Sequence, residues 1–354
     1  MFRRKLGLVA LILLVFSLLG YTLIAAFGRD SLQKENEEYI VAASFYPVYV
    51  LTRNLTEGVP GVQVVNLTEN HTGCLHDYQM TTKDMLTLET ADLLIINGGD
   101  MELFIRSAAE KLPELEIADA SAGFVFLEGE GHVHDHDEAE SEHKQEAEAE
   151  LDHEAESEHD HEVESGHEHE AGSEHDHKAE TDHASGINGH VWLNPNRYAA
   201  QIANVTEALC RMDEAHAGQY RDNAKTYLDG VRALCDAYEA EKPYLQGTEV
   251  VVFHDAFYYL CEACGIEILH GVDMDADTAL SAGEIAEITD EIKLHHVKYL
   301  LAEEATGAVA EQLAKQTEST VVYLDPCTSG SRALDAYISA MTANLEKLKA
   351  LHEQ

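Results

Sequence analysis

The sequence predicts an α/β protein in which two parallel-sheet lobes are joined by one long helix. Short apolar runs typical of strands alternate with helical patterns in two series, at about residues 39–119 and 249–351. Such alternation is typical of parallel sheets that helices cover on both faces. Between the two series lies a longer helical pattern, at about residues 214–241. One face of it is apolar, with Leu228, Val231, Leu234, Cys235 and Tyr238.

The first series predicts four strands and three helices. The strands are expected at residues 39–45, 62–67, 93–97 and 115–119, and the helices at 48–55, 81–90 and 102–112. Thr81, followed by Asp84 three residues later, predicts a capped start for the second helix. A further helix is expected at residues 195–212.

The second series predicts four more strands, each followed by a helix. The strands are expected at residues 249–253, 266–270, 299–302 and 320–324, and the helices at 256–264, 282–294, 308–316 and 333–351. Pro243 is predicted to end the long helix that precedes this series. The expected domains are a signal or anchor at 1–29, a first lobe at 38–212, a linking helix at 213–243 and a second lobe at 244–354.

The N-terminus carries an export signal. An apolar run at residues 6–27 follows three basic residues at positions 3–5. Basic residues before such a run stay on the cytoplasmic side, so the remainder of the chain is expected outside the cytoplasm. The run is long enough to span a bilayer, which favours an uncleaved anchor, and the Ala-Ala pair at 25–26 leaves cleavage as the alternative. No cysteine precedes Cys74, so we expect no lipid-modified cysteine.

Residues 128–186 are expected to form a disordered insert in the first lobe. From Glu128 to His183 there are 23 acidic residues, two lysines and 12 of the 21 histidines, and this segment carries about half of the formal charge of −43. It has almost no large apolar side chains with which to offset the entropy cost of ordering. Such acidity disfavours binding to nucleic acid and favours cations.

Histidines in the insert are candidate accessory metal ligands, because mobile imidazoles and carboxylates chelate borderline cations. We expect this segment to gather Zn²⁺ for a tighter site, and the alternative is a solvated linker that binds metal incidentally. The candidates are His132, His134, His136, His159, His161, His167, His169, His175 and His177.

Four candidate ligands of a tight site lie at strand ends or in loops between elements: His76, His190, His254 and Asp325. His254 and Asp325 each follow directly after an apolar strand. Ligands of parallel sheets bind beyond the carboxyl ends of the strands, so we expect the four residues to converge between the lobes. Three imidazoles and one carboxylate suit tetrahedral Zn²⁺, whereas Mn²⁺ prefers more oxygen ligands.

Five motifs carry a family resemblance. They are HDYQM followed by TTKD, ADLLIINGG, HVWL, VVFHDAFYYL and LDP. In this combination and order, the sequence resembles the metal-binding receptors of bacterial zinc and manganese ABC importers. The resemblance covers about residues 39–351, excluding the insert.

The resemblance implies two lobes, joined by a rigid helix, that clamp one ion through His76, His190, His254 and Asp325. The third of these positions is His or Glu in the family, and His254 favours Zn²⁺ over the alternative, Mn²⁺. Zinc members commonly carry a His- and acid-rich loop, as here. The implied partner is an ABC permease in the membrane, and we expect the receptor to be a monomer.

Two smaller expectations concern the surroundings of this site. Cys74 lies two residues before His76, and Cys327 lies two residues after Asp325. If His76 and Asp325 bind the same ion, the two cysteines lie close together, and export then favours a Cys74–Cys327 disulfide. Thiolate ligation is the alternative. A nearby strand is followed by two carboxylates, Glu303 and Glu304, whose expected role is loop polarity, with a hydrogen bond to a ligating imidazole as the alternative.

Two other functions are alternatives to a receptor. A zinc hydrolase needs an open coordination position and a general base, and the sequence has four candidate ligands and no HExxH motif. We therefore expect no enzyme. A surface zinc buffer that never meets a permease stays open, because a docking surface leaves no sequence motif.

Overall fold

The computed structural model describes residues 38–69, 71, 73, 75, 78–129, 186–272 and 280–352. Within the described part of the chain, no helix is both long enough and apolar enough to cross a membrane. The predicted anchor and the accessory histidines lie outside the described residues.

The first sheet contains four parallel strands in the order β2-β1-β3-β4. They are β1 (Tyr39–Ala43), β2 (Val62–Asn66), β3 (Leu93–Ile96) and β4 (Glu116–Asp119). The two central strands are buried on both faces, as expected for a sheet with helices on each side.

The second sheet also contains four parallel strands. Their order is β10-β9-β7-β8, with β7 (Glu249–Val252), β8 (Glu267–Gly271), β9 (Tyr299–Ala302) and β10 (Thr320–Tyr323). A separate antiparallel ribbon pairs β5 (Leu127–Glu128) with β6 (Ile187–Asn188). The expected pair of parallel sheets is therefore confirmed.

Helices connect the strands of each sheet. In the first lobe they are α1 (Tyr46–Thr56), α2 (Thr82–Thr90), α3 (Arg106–Ala109) and α4 (Pro195–Met212). The long helix is α5 (Ala217–Leu245), and the second lobe contains α6 (Phe257–Cys264), α7 (Ala282–His295), α8 (Gly307–Thr317) and α9 (Ala336–Lys349). The predicted capping box of α2 is confirmed: Asp84 N donates to Thr81 Oγ1 at 3.3 Å and Thr81 N donates to Asp84 Oδ2 at 2.7 Å.

The long helix α5 continues through Pro243, so the prediction that this proline ends it is wrong. Proline removes one intrahelical hydrogen bond, but the last turn is retained by other interactions. Gln246 N donates to Lys242 O at 2.8 Å, and Leu245 is fully buried. The predicted apolar face of α5 belongs to a core that is continuous from the first sheet to the second.

Residues 102–112 form a short 3-10 turn (Leu103–Ile105) followed by α3, and not the single helix that was predicted. Glu102 is the reason. Its backbone is not helical, and its buried carboxylate accepts hydrogen bonds from Ser44 Oγ at 2.7 Å, Asn97 N at 2.7 Å and Gly98 N at 3.1 Å. This side chain therefore ties the end of β1 to the loop after β3.

The predicted insert boundaries fall inside the β5–β6 ribbon. Glu128 belongs to β5, and Gly129 N donates to the main-chain oxygen of Gly186 at 2.8 Å. The ribbon thus brackets the insert at its base. Tyr259 of α6 fixes it to the second lobe by donating its hydroxyl to Asn188 O at 2.7 Å and accepting from Leu127 N at 3.0 Å.

Burial raises the pKa of Glu102 to about 7, and its three hydrogen bonds only partly oppose this effect. The folded protein therefore holds this proton more tightly than the unfolded chain does. Below the pKa that the Glu102 carboxyl has in the unfolded chain, this difference stabilises the folded state. The stabilisation is lost as the pH rises toward 7. The loss amounts to about 3 kcal/mol of unfolding free energy by linkage.

Replacing Glu102 by Gln removes this titration. We expect the unfolding free energy of wild type to fall relative to that of Glu102→Gln between about pH 4.5 and pH 7. Urea unfolding of both proteins at pH 5 and pH 8 measures the difference. Parallel pH profiles would show that the Glu102 carboxyl does not retain its proton in the folded state.

Candidate metal centre

His190 lies fully buried in the turn between β6 and α4. The 3-10 turn Val191–Leu193 follows it, and its three side chains are also fully buried. Pro195 then starts α4, with Asn194 as the cap that accepts from Asn196 N at 2.9 Å. Apolar burial on one side and a capped helix on the other therefore hold the imidazole in place.

Asn188 fixes the tautomer of His190. The Asn188 Nδ2 donates to Asp255 O at 2.8 Å, which leaves its Oδ1 facing His190. That oxygen lies 3.0 Å from both the main-chain N and the ring Nδ1 of His190. An amide oxygen only accepts, so Nδ1 carries the hydrogen. Nε2 then holds the lone pair that a metal ion requires.

His254 enters the centre from the second lobe. It follows directly after β7, where Phe253 N donates to Leu301 O of the neighbouring strand at 2.8 Å. His254 is 4% exposed. Its ring centroid lies 5.2 Å from that of His190, at an interplanar angle of 77°. Two imidazoles that are distant in sequence thus meet inside the protein.

Asp255 joins the two histidines. Its Oδ1 lies 3.4 Å from His190 Nδ1 and 3.6 Å from His254 Nε2. His190, His254 and Asp255 each offer a ligand atom, and these atoms lie within 4.8 Å of one another. This grouping has the donor chemistry of a site for a borderline divalent cation.

Glu303 lies on the other side of His254. It follows β9, the neighbour of β7 in the sheet, and its Oε1 is 3.5 Å from His254 Nδ1. Burial raises the pKa of Glu303, and the nearby charge of Asp325 raises it further.

Asp325 follows β10, the next strand along the same sheet edge. Its main chain is fixed by the buried Asn344, whose Oδ1 accepts from Asp325 N and whose Nδ2 donates to Asp325 O, both at 2.8 Å. The Asp325 carboxylate is solvent-exposed and accepts from Cys327 N at 2.7 Å. It is not a member of the three-residue group.

The structure therefore brings together two of the four predicted ligands, His190 and His254. Asp325 lies along the same strand edge, and His76 lies outside the described residues, so the complete ligand set stays a prediction. Cys327 is a free, buried cysteine, and its predicted partner Cys74 is outside the described residues. The disulfide is thus not supported by the structure and stays a prediction.

Sequence reasoning missed Asn188 and Asp255. Each lies within two residues of a predicted ligand, and a short polar side chain at such a position is a weak sequence signal. The sequence signal at Glu303 is stronger, because Glu303 follows the buried strand β9, which lies beside β7, the strand that precedes His254. The contacts of Asn188 depend on the β5–β6 ribbon, which the sequence does not predict.

A family model described as ZnuA, zinc-uptake complex component A periplasmic, matches residues 41–351. The high-affinity zinc uptake system protein ZnuA of Bacillus subtilis is 25% identical over 340 residues, which cover 93% of each chain. The zinc-binding protein AdcA of Streptococcus pyogenes is 26% identical over 318 residues, or 87% of this chain. The chain spans only 55% of that longer protein.

A solved structure has the same fold. The Zn(II)-bound ZnuA-like domain of Streptococcus pneumoniae AdcA aligns with a TM-score of 0.64 at 20% identity, over 90% of this chain and 100% of that domain. The family match covers most of the chain, including the second sheet, all but the first two residues of the first sheet, and the three-residue group. The chain therefore belongs to the ZnuA family of zinc-uptake complex component A proteins.

Proposed function

We propose that this protein captures Zn²⁺ outside the cytoplasm and delivers it to an ABC import permease. The observation that carries the proposal is the buried meeting of His190 and His254, with Asp255 beside both rings. Family membership and the zinc-binding relatives support it. The chain acts as a binding protein and not as an enzyme.

The proposed ligand set is His76, His190, His254 and Asp325. Two imidazoles are present in the described centre, and a set rich in imidazole favours Zn²⁺ over Mn²⁺. Asn188 supports this set, because it leaves the Nε2 lone pair of His190 available for the ion. Both described histidines belong to one chain, so a monomer suffices for binding.

The N-terminal apolar run is proposed to hold the protein on the outer face of the cytoplasmic membrane, or to secrete it if the run is cleaved. The basic residues at positions 3–5 support export with this orientation. The His- and acid-rich insert is proposed to collect Zn²⁺ by mobile, weak chelation and to supply the centre. Its acidic field raises the local cation concentration.

Deleting residues 130–183 tests the division of labour between the centre and the insert. We expect competitive Zn²⁺ titration of the chain from Asp30 onward to show one tight site and several weak ones. The deletion is expected to keep the tight site and to remove the weak ones, because none of the proposed ligands of the tight site lies in the deleted segment.

A matched control keeps the length and acidity of the insert and replaces its histidines by Asn. This variant separates imidazole chelation from the effect of charge. Loss of tight binding on deletion would contradict the proposal, and the chain would then be a His-rich buffer on an α/β scaffold. In cells, unchanged growth of the deletion strain under a zinc chelator would count against a role of the insert in uptake.

A further inference from the structure

The edge of the second sheet sets three acidic or imidazole side chains in a row. The strand order β10-β9-β7 places the residues that follow these strands side by side: Asp325 after β10, Glu303 after β9 and His254 after β7. Parallel strands end at the same edge. Glu303 therefore lies between a predicted ligand and a ligand that belongs to the described centre.

The two nitrogens of His254 face different carboxylates. Nε2 lies 3.6 Å from Asp255 Oδ1. Nδ1 lies 3.5 Å from Glu303 Oε1. A hydrogen on Nδ1 would be donated to Glu303, since a carboxylate only accepts, and the lone pair of Nε2 would then be available to the ion.

A ligating histidine in proteins commonly donates its other N–H to a carboxylate or a carbonyl oxygen, which fixes the ring and raises its basicity. His190 already follows this rule with the neutral oxygen of Asn188. The acceptor for His254 is a carboxylate, and its side chain is only 17% exposed. A charged acceptor in a poorly hydrated position polarises an imidazole more strongly than an amide does.

We propose that Glu303 is a positioning residue, which accepts a hydrogen bond from His254 Nδ1 and so directs Nε2 to the ion. This inference rests on the proposed function, because it assigns a role within the same zinc site. The present separation of 3.5 Å is longer than a good N–H···O bond, and we expect it to shorten when the ion draws the ring into place. Glu303 acts through His254 and does not itself bind the ion.

Glu303→Gln tests this role, with Glu304→Gln as the matched control. Glu304 is the next residue and is exposed, so its replacement removes the same charge from the same loop. In competitive titration we expect Glu303→Gln to weaken Zn²⁺ binding by about 10–100-fold. This is the usual cost of losing a carboxylate that hydrogen-bonds a metal-binding histidine. The control is expected to bind like wild type.

The second readout is the tautomer of His254, measured by nitrogen-15 NMR of the ring without metal. Glu303 and Asp255 can only accept, and they lie 3.5 Å from Nδ1 and 3.6 Å from Nε2. If Glu303 has the proposed role, wild type holds the hydrogen on Nδ1. A glutamine amide both donates and accepts, so Glu303→Gln is expected to give a mixture of the two tautomers. A residue that merely supports the fold would not change this signal.

Three results separate the outcomes. Equal affinity and an unchanged tautomer in Glu303→Gln, with tight binding by wild type, would overturn the inference and leave the proposed function standing. Failure of wild type to bind Zn²⁺ tightly would overturn the proposed function itself. X-ray absorption that shows one oxygen ligand fewer in Zn²⁺-loaded Glu303→Gln would make Glu303 a direct ligand and would also overturn the positioning role.

Discussion

Replacing His254 by Ala is expected to abolish tight Zn²⁺ binding and to leave the fold intact. The residue contributes an imidazole from the carboxyl end of β7 and lies against both His190 and Asp255. Because His254 is proposed as a direct ligand, its removal should cost more than the roughly 10–100-fold that is typical of residues that hydrogen-bond a ligand. The affinity loss should therefore exceed that of Glu303→Gln.

Competitive titration measures this loss, and circular dichroism checks the fold. His270→Ala is the matched control, because His270 is a partly exposed histidine of the same sheet, paired with Glu291 at 2.7 Å. The control is expected to bind Zn²⁺ like wild type. Tight binding that survives in His254→Ala would place the site elsewhere in the chain.

Replacing Trp192 by Ala is expected to give the largest loss of stability. The side chain is fully buried, its ring packs edge-on against Phe45 at 5.0 Å, and its Nε1 donates to Pro326 O at 2.8 Å. Its own main-chain oxygen accepts from Tyr337 in α9 at 2.7 Å. A Trp→Ala change in a core costs about 3–5 kcal/mol of unfolding free energy, and the lost hydrogen bond adds about 1 kcal/mol.

The same substitution should also weaken Zn²⁺ binding. Trp192 contacts the His190 ring, with centroids 5.1 Å apart, and holds the loop that begins at Asp325. Urea unfolding and metal titration measure the two effects on one protein. Tyr244→Ala serves as the control, because Tyr244 is a large aromatic residue that is 65% exposed. Equal stability of Trp192→Ala and the control would show that the junction of the lobes does not depend on Trp192.

Periodicity was sufficient to predict most of the fold. The buried strand β3 is a continuous apolar run, as are the last three residues of β7, and α2 begins at a capping box that is visible in the sequence. These features are local, so they can be read without knowing the tertiary structure. The predictions fail where a tertiary contact determines the end of a helix. Glu102 leaves the helical conformation because distant donors bind its carboxylate, and burial of Leu245 keeps the last turn of α5 beyond Pro243.

The candidate site divides in the same way. His254 could be predicted because it follows an apolar strand, where parallel sheets bind their ligands, and His190 because it begins the HVWL motif. The roles of Asn188 and Glu303 could not be predicted with the same force, since an amide or carboxylate in a loop has many solvated alternatives. Their assignment required the orientation of the Asn188 amide and the adjacency of β7 and β9.

The most direct test of the central claim is a crystal of the Zn²⁺-loaded protein measured at the zinc absorption edge. We predict one strong anomalous peak, about 2.0–2.1 Å from the Nε2 atoms of both His190 and His254, the usual Zn–N distance. A strong peak that contacts neither histidine would contradict the account.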